Sequence, residues 1–182
     1  MIKLLLIFIL SSFSLFASPL ITESLSKTTL KGLNEQFTFH AVGETTFSIF
    51  FWDLYKSRLL TTSGKYPIDK NEKLIYEINY MTDISKEDLI HRTVEQWQYL
   101  GLPIESYQIF LPKLAFIWPD ITEGDTLSLL ILDQKSHFYF NQHYIGRIDD
   151  PGFGQIFLDI WLAENTSQPK LRSQLLGQTN HE

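Results

Sequence analysis

Apolar and polar positions along the chain first follow a period of two, then one near 3.6, then two again, and finish helical. Residues 36–42, QFTFHAV, alternate; so do 73–81, KLIYEINYM, after a turn region marked by Gly64, Pro67, Asp69 and Asn71, and both stretches predict strands. Between them, residues 46–55, TFSIFFWDLY, are apolar on both sides as far as Trp52, which predicts a central strand covered from both faces. Asp53 arrives just before polar residues resume at Lys56, Ser57 and Arg58. An aspartate at that point marks the emerging end of a strand, paired with a nearby cation. The functional alternative sets it beside Tyr55 at the mouth of an apolar pocket.

The strongest helix signal is DISKEDLIHRTVEQWQYLG. Ser85 serves as N-cap with Asp88 three residues on, Ile90, Val94, Trp97 and Leu100 form the apolar stripe, and Gly101 is the stop. A second helical stretch runs from about Ile104 to Trp118, restarted or kinked at Pro112. Residues 125–147 predict two or three antiparallel strands with FNQH as a tight turn. After the Asp/Pro signal at 149–151, Phe153, Phe157, Ile160 and Trp161 share one helix face, and a last short helix runs from Pro169 to a stop at Gly177. Strands first, helices between and after them, predict an α+β fold with an antiparallel sheet covered by helices. No repeat or linker divides the chain, so one domain over 18–182 is expected.

The first residues change the picture of where the protein works. MIKLLLIFILSSFSLFASPL carries a lysine, an apolar run from Leu4 to Leu10 and small residues at Ala17 and Ser18. That is the order of a secretory signal, with an apolar run too short for a membrane span, so residues 1–17 are read as a signal peptide and the protein as exported, periplasmic or secreted. Leu15 fits poorly at the −3 position, and a retained N-terminal anchor is the alternative. With no cysteine, neither disulfides nor cysteine zinc sites support the fold. A net charge of −6 with singly scattered Lys and Arg argues against nucleic-acid binding and against a basic membrane patch.

The candidate chemistry is sparse. His137 and His143 invite a metal reading, but a two-residue turn at Asn141 and Gln142 pairs Phe140 with His143 and sends the two imidazoles to opposite faces; no metal site is expected. His91, alone on a helix, reads as a surface histidine. The carboxylates of WPDITEGD read as turn and cap residues. GFG lacks a third glycine and a preceding strand, so it is not a phosphate loop. Tyr55, Tyr76, Tyr80 and Tyr99 lie on the sheet or its covering helix, where a phenol suits either a core or the lining of an apolar cleft.

In FSIFFWDLYKSRL, INYMTDISKEDLIHRTVEQWQYLG, EGDTLSL, IGRIDDPGF and FLDIWLAENTSQPKLRSQLLG, the chain resembles the bacterial chalcone-isomerase-like proteins, in order and spacing from about Gly43 to Gly177. The resemblance implies a large antiparallel sheet covered on one face by a layer of helices, with a ligand cleft between them. The plant enzymes of this superfamily use an early-strand arginine, a tyrosine and an asparagine. Aligned on Trp97, the tyrosine falls near Ser85 and the asparagine near Arg92, and no arginine stands between Lys31 and Arg58. The resemblance therefore carries over no catalytic residue and implies no cofactor. It implies instead a ligand-binding protein, since some members hold fatty acids with an arginine and a tyrosine; Tyr80, Arg92, Tyr55 and Arg58 are the residues that alignment offers for that role. An isomerase or intramolecular lyase of other specificity, with Tyr80 or Tyr55 as proton donor, and a ligand-free interaction module are the alternatives.

Overall fold

The computed structural model describes residues 29–178, so the expected signal peptide at 1–17 lies outside the described residues. Six strands form one sheet in sequence order, each antiparallel to the next: β1 (His40–Ile49), β2 (Trp52–Thr61), β3 (Leu74–Tyr80), β4 (Thr126–Leu132), β5 (Lys135–Phe140) and β6 (His143–Ile148). The helices are α1 (Leu30–Gln36), α2 (Lys86–Tyr99), α3 (Leu111–Ile117), α4 (Phe153–Leu162) and α5 (Pro169–Leu175). Helices α2 to α5 cover one face of the sheet, and α1 covers part of the other, an α+β architecture.

The larger core lies under α2 to α5. Alternate residues of β3, Leu74, Tyr76, Ile78 and Tyr80, point into it, with Leu127 and Leu129 of β4 and Phe138 of β5. Its centre is aromatic. Phe153 stacks on Phe157 at 5.8 Å and meets Phe110 and Phe138 edge-on at 5.0 and 6.0 Å. Trp97 is fully buried, packs on Tyr107 at 5.1 Å and donates its Nε1–H to the Ile156 carbonyl at 2.8 Å, fastening α2 to α4. The smaller core joins Leu30 and Leu33 of α1 to Leu60, Ile75, Leu130 and Tyr139 on the reverse of the sheet.

Local rules explain most boundaries. Ser85 Oγ accepts from the Asp88 N–H at 3.1 Å and caps α2, and Gly101, at φ +77°, stops it in the left-handed region that favours glycine. The second helical stretch divides into 3₁₀ turns at Ile104–Ser106 and Gln108–Phe110 followed by α3, with Pro112 in the first turn. Asn141 and Gln142, both at positive φ, form the expected turn, with Phe140 opposite His143. At Gly43 a Cβ would lie 2.2 Å from the Gln174 carbonyl oxygen, so only glycine lets β1 pass this close to the end of α5.

Two expectations are corrected. Residues 46–55 are not one central strand but a hairpin whose chain reverses at Phe50 and Phe51, with Ile49 opposite Trp52. An aromatic turn without Gly, Asn or Asp leaves the apolar run unbroken, and periodicity cannot see it. The segment 36–42 is likewise not one strand: the chain is helical to Gln36, with Thr29 Oγ1 accepting from Gly32 N–H at the N-cap, and β1 begins at His40.

His137 lies under the smaller core at 2% exposure with Nδ1 unpaired. Burial, with Arg147 next in effect, lowers its pKa from 6.5 to about 4. Between these values the unfolded chain binds the proton that the folded chain refuses. Stability from this residue is therefore complete above about pH 6.5 and is lost as pH falls toward 4, by up to roughly 3 kcal/mol. Thermal unfolding of wild type and His137→Phe between pH 7 and 4.5 should give the flatter profile for the variant; parallel profiles would assign the acid sensitivity to other groups.

Candidate functional site

A cleft of about 430 Å³ remains open between the sheet and helices α2 and α4. Its floor comes from the sheet. Phe47 stands opposite Tyr55 and Ser48 opposite Asp53, so Leu54 is an extra residue in β2, and both Leu54 and Tyr55 line the cleft. Ile78, Tyr80 and Leu127 complete the floor; Leu89, Thr93 and Gln96 of α2 and Phe157, Ile160 and Trp161 of α4 form the opposite wall. At the rim, Ser167 Oγ donates to Gln96 Oε1 at 2.7 Å, tying α2 to the segment ahead of α5.

The structure brings together three of the four residues named from the sequence. Tyr55 and Tyr80 sit side by side, ring centroids 6.1 Å apart, and Arg92 stands at the rim. Trp161 Nε1–H donates to the Tyr55 hydroxyl at 2.9 Å. Burial raises the Tyr55 pKa to about 12 against the opposing effect of that hydrogen bond. Burial, with Tyr55 second, pushes Tyr80 up as well. At neutral pH both phenols are uncharged and present O–H donors rather than bases. Trp118, also on the cleft wall, keeps its Nε1–H buried without a hydrogen-bond partner. The Arg92 guanidinium is largely in solvent and donates to Glu95 Oε2 at 2.8 Å.

Arg58 is the fourth, and it does not reach the cleft. It projects from the opposite face of β2, where its guanidinium lies 3.8 Å from the Glu77 carboxylate. Residues 55 and 58 are an odd number apart on a strand, so they point to opposite sides. Asp53 is not in the cleft either: it is exposed at the neck of the β1–β2 hairpin and accepts from Ser48 Oγ at 2.5 Å, its partner a hydroxyl rather than a cation.

The remaining polar groups resolve into structural roles. Asp120 accepts from the Lys86 N–H at 2.9 Å, Asp125 from the Thr122 N–H at 2.7 Å and Asp83 from the Glu123 N–H at 2.8 Å. A wide surface depression lined by Asp83, Asp88, Asp120 and Arg92 is therefore made of turn and cap groups already engaged. His91 is exposed, 3.8 Å from Glu95, and His143 is exposed on the face away from His137.

Sequence reasoning missed Thr93, Gln96, Trp118 and Ser167 as cleft residues. Thr93 left a signal: it is a polar residue in the buried stripe of α2, four residues from both Leu89 and Trp97. Nothing comparable marks the other three.

Residues 43–177 match the family described as chalcone isomerase-like. An uncharacterized protein of Haemophilus influenzae is 28% identical over 144 residues, covering 78% of this chain and 70% of that protein. Among solved structures, an Arabidopsis thaliana fatty-acid binding protein superposes with a TM-score of 0.55 at 10% identity, over 76% of this chain and 84% of that one. At that identity the likeness is one of fold.

Proposed function

Starting from the fact that the chain belongs to the chalcone isomerase-like family, we propose that it is a non-catalytic carrier, working outside the cytoplasm, for a small apolar or fatty-acid-like ligand held between sheet and helices. The observation that carries this reading is the cleft itself, about 430 Å³ of unfilled space lined mainly by apolar and aromatic side chains in a fold otherwise packed with rings. That volume falls within the roughly 300–1,000 Å³ of small-molecule sites. A module that used the fold only for packing would fill it. The likeness to a fatty-acid binding protein supports the ligand class, and the N-terminal residue pattern supports export.

The acyl chain would lie against Ile78, Leu127, Phe157 and Ile160, gaining about 0.8 kcal/mol per buried methylene. Its carboxylate would lie where Arg92 and the Tyr80 hydroxyl offer a cation and a neutral donor. Burial raises both phenol pKa values far above neutral pH, which makes either a poor proton donor and weighs against an isomerase that relies on one.

The test is a titration of saturated fatty acids of increasing length. Affinity should rise about fourfold per methylene until the cleft is full. Tyr80→Phe should weaken binding about 10- to 100-fold, the value of one hydrogen bond to a charged group. Arg92→Ala should weaken it about threefold, because the side chain is solvated and already paired with Glu95. Unchanged affinity in both variants would move the headgroup elsewhere, and a length-independent affinity would remove the acyl reading.

A further inference from the structure

Phe50, Phe51 and Trp52, at the tip of the β1–β2 hairpin, expose 93%, 99% and 76% of their surface. The fold gains nothing from them by burial. Phe50 also sits at φ +56°, a left-handed conformation in which a bulky side chain is strained and glycine is not. A Gly-Asn pair would turn the same hairpin without that strain. Two exposed phenylalanines, the first of them also in a strained backbone conformation, point to a role outside the fold.

We infer that this tip docks the protein on a lipid bilayer, with Phe50, Phe51 and Trp52 entering the boundary between headgroups and acyl chains. Shape favours a bilayer over a protein partner. A two-residue turn is a convex point, and three aromatic rings at roughly 150–250 Å² each fall short of the roughly 800 Å² per partner of a stable protein interface. A fluid surface requires no complementary relief. Tryptophan is the side chain that prefers this boundary, and beneath the rings the Ser48–Asp53 hydrogen bond forms a polar collar suited to headgroup depth. With a net charge of −6, the attraction is apolar rather than electrostatic.

The same hairpin borders the cleft, through Phe47 and Ile49. Resting on the ligand reading above, docking at this tip opens the cleft mouth beside the bilayer, so an acyl ligand crosses between them with little exposure to water.

The experiment uses the full chain with phosphatidylcholine vesicles, with and without phosphatidylglycerol, at low and high salt. Trp97 and Trp118 are buried and Trp161 is half-buried, so Trp52 supplies the environment-sensitive emission, checked by its loss in Trp52→Phe. Vesicles should shift that emission to the blue, equally with and without the anionic lipid and at both salt levels. The double substitution Phe50→Gly, Phe51→Asn should weaken vesicle association at least tenfold while leaving Tm no lower. Equal binding by the double variant, an unchanged Trp52 emission, binding that needs phosphatidylglycerol and vanishes in salt, or tip-dependent self-association would each overturn the docking. Acyl affinity measured without vesicles should be the same in both proteins; its absence from both would remove the ligand reading and the transfer step, while the vesicle result alone decides the docking.

Discussion

Thr93→Trp is expected to abolish ligand binding, with at least a hundredfold loss of acyl affinity and little change in stability. Thr93 is 7% exposed, and its side chain borders about 430 Å³ of unfilled space. An indole built there enters the cleft instead of displacing packed neighbours, so the usual overpacking cost of about 1–3 kcal/mol is mostly avoided. The substitution also removes a hydrogen bond from Thr93 Oγ1 to the Leu89 carbonyl at 2.8 Å. Bonds of that kind within a helix do little for it, and the carbonyl keeps its helical partner. Displacement of a fluorescent fatty acid reads the affinity, and a thermal scan reads the fold. Full affinity at an unchanged Tm would mean that the ligand sits outside this cleft.

Trp97→Ala is expected to have the largest effect on stability. The indole is fully buried between Tyr107, at 5.1 Å, and Phe153, at 6.5 Å, and holds the Ile156 carbonyl. Removing it costs about 3–5 kcal/mol in lost burial and cavity. The orphaned hydrogen bond adds about 1 kcal/mol. For a chain of this size that lowers Tm by roughly 8–24 °C. Trp97→Phe, which keeps a ring and loses the N–H, should recover most of it. A drop of under 2 °C for the alanine variant would show that α2 and α4 are joined by other contacts.

The legible parts of this fold were those whose signals are local. Ser85, Asp88 and Gly101 delimit α2 by capping chemistry that needs no partner, and the Asn141–Gln142 turn set the register that separates His137 from His143. What escaped depends on tertiary context. The α1 segment, LKGLNEQ, is short, carries a glycine and shows only Leu30 and Leu33 as buried anchors, so its helix comes from packing on the reverse of the sheet rather than from propensity. The Phe50–Phe51 reversal carries no turn residue at all. Arg58 is different, because strand parity already set it opposite Tyr55 and was not applied. Tyr55 and Tyr80 were visible as phenols on strands, but the space between them and α2 was not, since a sequence reports what side chains are and not where packing stops.

The sheet is occupied on both sides, and this bears on how the binding site can diverge among relatives. Tyr80 and Tyr55 stand on strands whose reverse carries Ile75 and Leu60, locked under α1. A change of strand position made to suit a new ligand would have to be accommodated by two cores at once. Across the cleft, Thr93 and Gln96 belong to a helical wall and Ser167 to the loop ahead of α5, backed by one core, with the rim open to solvent. Differences in ligand preference among relatives are accordingly expected on that wall, with the floor changing little.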